Sequence, residues 1–234
     1  MPSVLTQRCE EAASLNFPEL GQVQELPAGY AEADVDWTRC VVVTSHPPPP
    51  DVTQPAALLD AGNEEELESR HYVLSRKAAQ QSELLKNLIA DEDGSDGCVM
   101  DVPVQSTATA LRYAVVFLEY HAKLTAPFEP ITRPLLPDWQ TSLNEFDRRM
   151  LASLVPEPER HLQCIDVACV ANYLSIERLA EVTAAAIGHI MVSCSTDLDR
   201  LRRVFRMAND LSPADEQALK TLDAVWNLTP SQLQ

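Results

Sequence analysis

The chain has 234 residues, 45% of them hydrophobic, which is enough for one sizeable core and a smaller satellite domain. Its formal net charge of −17 argues against nucleic acid as a ligand, because phosphate binding depends on lysine and arginine side chains. No run reaches the ~20 apolar residues that span a bilayer, and the N-terminus lacks a signal-peptide pattern. We therefore expect no membrane contact and a cytoplasmic and nuclear protein. Basic protein surfaces are better candidate partners, although solubility alone explains the acidic charge equally well.

The first third of the chain predicts an extension followed by a pair of strands. Residues 1–36 are rich in acidic side chains and show no period of 2 or 3.6, so we expect them to be largely disordered or to lie loosely on the surface. Their few large apolar residues, Leu15, Phe17 and Leu20, could dock elsewhere on the protein. Cys40–Thr44 is a β-branched run that predicts a buried strand, ended by the prolines after His46. His71–Leu74 predicts its partner strand, at the far end of an extended hairpin loop.

The middle of the chain predicts a helix, an edge strand and a second helix. Arg76–Ile89 has the apolar spacing of a helix and is followed by an acidic run, Asp91–Gly97, that predicts a solvated loop. Val99–Val104 contains a proline and predicts a short edge strand. Ser106 or Thr107 has the side chain of a helix N-cap. The apolar face of the helix that follows is expected to contain Leu111, Val115, Leu118 and Ala122.

The second half predicts helices throughout. Leu162–Tyr173 is apolar nearly all round and predicts a buried helix, with one face formed by Leu162, Ile165, Ala168, Cys169 and Asn172. Ile176–Met191 keeps the helical apolar spacing for four turns, with Glu177, Arg178 and Glu181 facing out. Capping patterns then predict helix starts at Thr196, paired with Asp199, and at Ser212, which precedes Pro213 and Asp215. A last short helix is expected to carry Leu219, Leu222, Val225 and Trp226.

No catalytic constellation is present in the sequence. A glycine-rich phosphate loop, an HExxH motif and a GxSxG motif are all missing, so we expect neither an enzyme nor a cofactor. His161, Cys164 and Cys169 lie close together and could suggest a metal site, but the same residues fit one side of a buried helix. We therefore expect no metal. Six cysteines without a CxxC pair are typical of a reducing compartment.

The C-terminal helices carry large apolar residues with little chain left to cover them. Phe205, Met207, Leu211 and Trp226 are the largest of these residues. Exposed apolar surface of this kind marks a partner site, whereas helices that only close the domain's own core would show the same spacing. From spacing alone the two interpretations stay open.

The order of these segments resembles the Skp1 family. Val102-Pro103-Val104 matches a VPxP-like edge, and Leu136-Pro137-Asp138-Trp139 matches the family's IPxW. The strongest parts are Ala171-Asn172-Tyr173-Leu174, similar to the AANYL helix, and Phe205 to Glu216, similar to FNIxNDFTxEEE. The resemblance covers about residues 37 to 228.

The resemblance implies an α/β (α+β) fold. Its first part is a BTB/POZ-type domain with a small, mostly edge-limited sheet and helices, and its second part is a C-terminal helical extension that binds F-box proteins. The implied divisions are an extension at 1–36, the BTB/POZ-type core at 37–124, a proline-rich linker at 125–138, helices at 139–192 that complete the core, and F-box-binding helices at 193–234.

The family's function implies an adaptor that bridges an F-box protein to a cullin in an SCF-type ubiquitin-ligase complex. The matching F-box positions are Leu179, Val182, Phe205, Met207, Leu211 and Trp226. Burial of one large aromatic among them would contribute roughly 1.5 to 3 kcal/mol. Asn172 and Tyr173 match the cullin-side pair, although a helix C-cap and a core aromatic also explain these two residues.

Departures from the family pattern motivate an alternative function. Ser175 stands where the family has Asp, Ala208 replaces a lysine, and the 36-residue extension has no counterpart. The alternative is a structural Skp1 paralogue that holds an F-box-like protein in a non-ligase assembly, such as a kinetochore complex, without a cullin. Pro213 matches a proline that some members hydroxylate and glycosylate, while its place at a helix start needs no modification. A homodimer of the free chain also stays open.

Overall fold

The computed structural model describes residues 17–47, 68–91, 100–125, 129–156, 161–195 and 197–208, together with 212–215, 217–218 and 221. The chain divides into two compact units, Met1–Val192 and Ser193–Gln234. The architecture is mixed α and β with one small sheet, so the predicted α+β class is confirmed at this level. Among the helices within the described ranges, none combines the length and apolarity that crossing a bilayer requires.

The sheet has four strands in the order β1-β3-β2-β4. They are β1 (Glu25–Leu26), β2 (Cys40–His46), β3 (His71–Ser75) and β4 (Asp101–Gln105). β3 is antiparallel to both β1 and β2, whereas β4 is parallel to β2 and places Pro103 opposite Thr44. The predicted edge strand is confirmed, because β4 is the last strand on one side of the sheet. A proline is tolerated there, since an edge strand has only one neighbour to which it must hydrogen-bond.

Seven α-helices follow the sheet or connect its strands within the described residues. They are α1 (Arg76–Ala79), α2 (Glu83–Asp91), α3 (Ala108–His121), α4 (Glu145–Leu154), α5 (Leu162–Tyr173), α6 (Glu177–Cys194) and α7 (Leu198–Val204). Three short 3-10 turns lie at Pro18–Gln22, Glu32–Asp34 and Trp139–Ser142. The predicted N-cap Thr107 is confirmed, because its hydroxyl accepts a hydrogen bond from the Ala110 amide at 3.3 Å.

The single helix predicted over Arg76–Ile89 is two helices in the structure. Ser82 separates them: its hydroxyl accepts from the Leu85 amide at 3.1 Å and donates to the Leu174 carbonyl at 2.5 Å. A serine that bonds both ways in this manner competes with a continuous helix and starts a new one. The acidic run predicted after this helix lies outside the described residues except for Asp91, where α2 ends.

The core of the first unit forms around α3, which is buried on almost every side. Helix α5 packs against it through Cys164, Val167, Val170 and Ala171. The face predicted from spacing is therefore the wrong one: Ile165 and Ala168 are half-buried, and Cys169 and Asn172 are exposed. Because α5 is apolar nearly all round, its spacing could not distinguish the inner face from the outer one.

The structure also differs from the expectation of a disordered extension. Phe17 is fully buried, and its ring stacks on Tyr113 with centroids 5.9 Å apart. Arg112 Nε donates to the Leu20 carbonyl at 2.8 Å and fixes the same turn to α3. Few but large apolar residues therefore pack this segment onto the core, although it has no regular period. Residues 1–16 lie outside the described part of the chain.

The rest of this segment covers the other face of the sheet. Leu26, Val35 and Trp37 form a second apolar cluster on Val42 of β2, and the Trp37 indole donates to the Glu32 carbonyl at 2.7 Å. A polar row lies on the same sheet. The Thr44 and Tyr30 hydroxyls donate to the two carboxylate oxygens of Asp101, at 2.5 and 3.0 Å. Residues from Phe17 to Trp37 thus contribute to both layers that enclose the sheet.

A buried polar network joins three helices and the linker. His121 of α3 and Asp147 of α4 are fully buried, with Nε2 and Oδ1 2.7 Å apart. Arg178 of α6 pairs with Glu181 at 2.8 Å and lies 4.0 Å from Asp147. Glu181 also accepts from the amide of Ile131, a buried residue of the proline-rich linker. Arg178 and Glu181 therefore do not face out as the spacing predicts, because they hold the linker against the helices.

Candidate partner-binding surfaces

The end of helix α5 forms the first candidate surface. Asn172 and Tyr173 are both exposed, and the Tyr173 side chain keeps 51% of its accessible area. Its hydroxyl donates to the Pro103 carbonyl of edge strand β4 at 3.3 Å. The interpretation of Tyr173 as a core aromatic is therefore wrong, and the helix C-cap is Leu174, not Asn172.

A tight turn after α5 holds this pair in place. Ser175 has φ 53°, in the left-handed region, and the Ile176 amide donates to the Ala171 carbonyl at 2.8 Å. This pairing is that of a Schellman motif, whose left-handed residue is usually glycine. Without a glycine, the turn carries a conformational cost of about 1–2 kcal/mol at Ser175.

Helix α2 completes the first surface. Its first residue, Glu83, donates its amide to the Ser175 carbonyl at 3.2 Å. A shallow cleft of about 500 Å³ lies at this junction, with Gln81, Glu83, Asn172, Ser175 and Glu177 among the residues along it. Two carboxylates and two side-chain amides border the cleft, so it favours hydrogen-bond donors and cations over anions. We call the cleft with Tyr173 the α5-end surface.

Two of the residues matched to F-box binding lie in the core. Leu179 and Val182 of α6 have no exposed area and belong to the main apolar cluster of the first unit. Their spacing of three places both on the inner face of α6. In this conformation neither side chain is accessible to a partner.

The second unit carries the other matched residues that the structure describes. Phe205 is half-buried, Met207 is 57% exposed, and Leu198 at the start of α7 is also exposed. Arg206 has φ 51°, and the Met207 amide donates to the Arg202 carbonyl at 2.9 Å. A second Schellman turn without glycine therefore ends α7 and presents Met207 directly after it.

The caps of this unit agree only in part with the predicted ones. Asp197 caps α7 by accepting from the Arg200 amide at 2.9 Å, whereas the predicted cap, Thr196, lies outside the described residues. The predicted box at Ser212 is confirmed, because Ser212 and Asp215 each accept the other's amide, at 3.2 and 3.3 Å. Pro213 is exposed within it, and Leu211 and Trp226 lie outside the described residues.

The histidine and cysteines near α5 do not form a metal site. His161 and Cys164 are fully buried, whereas Cys169 is exposed on the outer side of the helix. Burial raises the pKa of Cys164 to about 12, which opposes the thiolate that metals bind. Within the described ranges, no three His, Cys, Asp or Glu residues are grouped closely enough to hold an ion.

Comparisons with known proteins add no relative from which to transfer a function. No family model matches the chain. A search of curated proteins also finds no match. Function is therefore inferred from the chain's own surfaces: a partly polar one at the end of α5, and apolar side chains around α7.

Proposed function

We propose that this protein is a non-catalytic adaptor of the Skp1 type, in which a BTB/POZ-type first unit binds a cullin and the C-terminal unit binds an F-box protein. The observation that carries the proposal is the distribution of exposed large apolar residues. Four of the eight that the described ranges contain, Met191, Val192, Leu198 and Met207, fall between residues 191 and 207. Concentrations of this kind are typical of protein interfaces.

The F-box side of the proposal rests on helix-in-groove recognition. Exposed Met207 and half-buried Phe205 follow α7, and flexible methionines adapt readily to the apolar face of a partner helix. In the first unit, and separately from these residues, the outer side of α5 carries Ile165 and Ala168, which are half-buried, and Cys169. The sequence predicts that the whole helix is buried and does not show that these three residues lie on its outer side. The structure shows it, because Cys164, Val167 and Val170 are more strongly buried than they are.

The cullin side of the proposal rests on the α5-end surface. A half-exposed tyrosine is the residue type most often found as an interface anchor, because it combines a large apolar ring with a hydroxyl. Tyr173 is held by Pro103 and by the rigid turn at Ser175, so little side-chain freedom remains to be lost on binding. The acidic cleft beside it fits a partner with basic side chains.

A reconstitution experiment separates the two sides. Wild-type chain would be mixed with a purified F-box domain and with a cullin N-terminal region from the same cells, and each affinity measured by calorimetry. Met207→Asp is expected to weaken F-box binding at least about tenfold and to leave cullin binding unchanged, because a carboxylate would be buried against an apolar helix. Tyr173→Asp is expected to do the reverse.

Leu136→Asp is the matched control, since Leu136 is similarly exposed, lies in the linker and is not among the residues matched to either partner. Binding of an F-box domain without binding of any cullin would support the alternative function, that of a structural paralogue in a non-ligase assembly. Binding of neither partner would contradict the adaptor proposal altogether.

A further inference from the structure

A small cavity lies between α4, α6 and the turn at Trp139, within the first unit and apart from every residue assigned above. Its volume is about 240 Å³. Trp139, Leu151 and Ile190 form its buried floor, and Val155 is half-buried beside them. Arg148 and His189 stand exposed at its rim. Cofactor and drug-sized ligands occupy about 300–1,000 Å³, so this cavity has the size of a single large side chain.

Helical spacing explains why these residues meet. Arg148, Leu151 and Val155 stand at i, i+3 and i+7 along α4, and His189 follows Ala186 by three on α6. Residues at these spacings share one side of a helix, so each helix contributes part of an apolar floor, with the Arg148 guanidinium at one edge and the His189 imidazole at the other. The arrangement is local to two packed helices and needs no other part of the chain.

The charge of the cavity is opposite to that of the protein. The chain carries −17 overall, yet none of the residues that line this cavity has a carboxylate. Within the described residues, no carboxylate pairs with Arg148, whereas Arg149, Arg178 and Arg202 each have one. A guanidinium beside an apolar cavity favours a carboxylate that brings an apolar group with it.

Trp139 supplies a second indication of an acceptor. Trp139 is only 3% exposed, and its indole nitrogen has no hydrogen-bond partner in the described part of the chain. Buried indole N–H groups usually find an acceptor. Trp139 therefore places a buried donor without an acceptor among the residues that line the cavity.

We propose that this cavity is a docking pocket for an acidic peptide segment of a partner protein, in which one large apolar side chain fills the cavity and neighbouring Asp or Glu side chains pair with Arg148 and His189. The occupant is a peptide, because the cavity accepts one side chain while Arg148 and His189 lie outside it at the rim. The site is independent of the proposed F-box and cullin surfaces and shares no residue with them.

Selection from an unbiased peptide library tests the proposal. A phage-displayed library of random 12-residue peptides would be panned on the full-length protein, and selected peptides would be synthesised and measured by fluorescence polarisation. The expected consensus is one Leu, Ile, Phe or Trp flanked by Asp or Glu. Affinity for such peptides is expected to fall at least about tenfold in Arg148→Glu, and to fall further in Ala152→Trp, which fills the cavity from its exposed rim.

Lys77→Glu is the matched control, because Lys77 is an exposed cation on α1 and its reversal changes net charge by the same amount. Peptide binding should be unchanged in this variant. Unaltered far-UV circular dichroism in all three variants would show that the fold is kept. An uncharged or basic consensus, equal binding to Arg148→Glu and wild type, or no enrichment at all would each overturn the proposal.

Discussion

Replacement of Phe17 by alanine tests whether the N-terminal segment belongs to the core. Its ring has no exposed area, stacks on Tyr113 and lies 5.2 Å from the Phe146 ring, with the Arg149 guanidinium 5.9 Å from its centroid. Removal of a fully buried phenylalanine costs about 3–5 kcal/mol, from lost transfer free energy and from the cavity that remains. We expect about 3–4 kcal/mol, since the short turn around Phe17 can relax more than a central helix.

That loss is large against the roughly 5–15 kcal/mol by which whole domains are stable. It would be measured by urea unfolding followed by tryptophan fluorescence, which reports on Trp37 and Trp139 of the first unit. Leu136→Ala is the control, because Leu136 is 49% exposed and its truncation should cost less than about 0.5 kcal/mol. A change below about 1 kcal/mol in Phe17→Ala would refute the assignment of this segment to the core.

Three further predictions concern the backbone, a tyrosine and the cysteines. Ser175→Gly should raise the free energy of unfolding by up to about 1 kcal/mol, measured in urea, because glycine adopts φ 53° without a Cβ penalty. Burial and a hydrogen bond to Asp101 raise the pKa of Tyr30 to about 12, so the stability this tyrosine contributes is present below pH 10 and lost as pH rises towards 12. Spectrophotometric titration of wild type minus Tyr30→Phe should show this pKa, and Asp101→Asn should lower it. Iodoacetamide mapped by mass spectrometry should modify exposed Cys169 well before Cys164, whose pKa burial raises to about 12.

The sequence predicts the sheet and most helices because their signals are local. The β-branched run of β2, its predicted partner β3 and the proline-containing β4 are three of the four strands, and β2 and β3 pair antiparallel as a hairpin requires. Thr107 and Ser212 cap helices as their side chains predict, because a hydroxyl at such a position satisfies an amide within three residues. Local hydrogen bonds of this kind need no knowledge of the tertiary structure.

The remaining features depend on contacts between segments far apart in the chain. Phe17 is buried only because Tyr113 and Phe146 meet it, across 96 or more residues of sequence. The turns at Ser175 and Arg206 escape prediction because the residue that signals a left-handed turn, glycine, is missing from both. A helix with apolar residues on every side likewise gives no local sign of which side faces out, and the candidate surface on α5 is hidden for that reason.

The candidate residues for the two partners lie in different compact units, and this decides how bridging can be tested. Tyr173 belongs to the first unit and Met207 to the second. Substitutions that share no contact partner add in free energy, so in Tyr173→Asp/Met207→Asp each affinity should fall by the same factor as in the corresponding single variant. Calorimetry with both partners present would measure this. If Met207→Asp also weakened cullin binding severalfold, the two sites would be coupled, and the chain would transmit one partner's binding to the other instead of merely holding both.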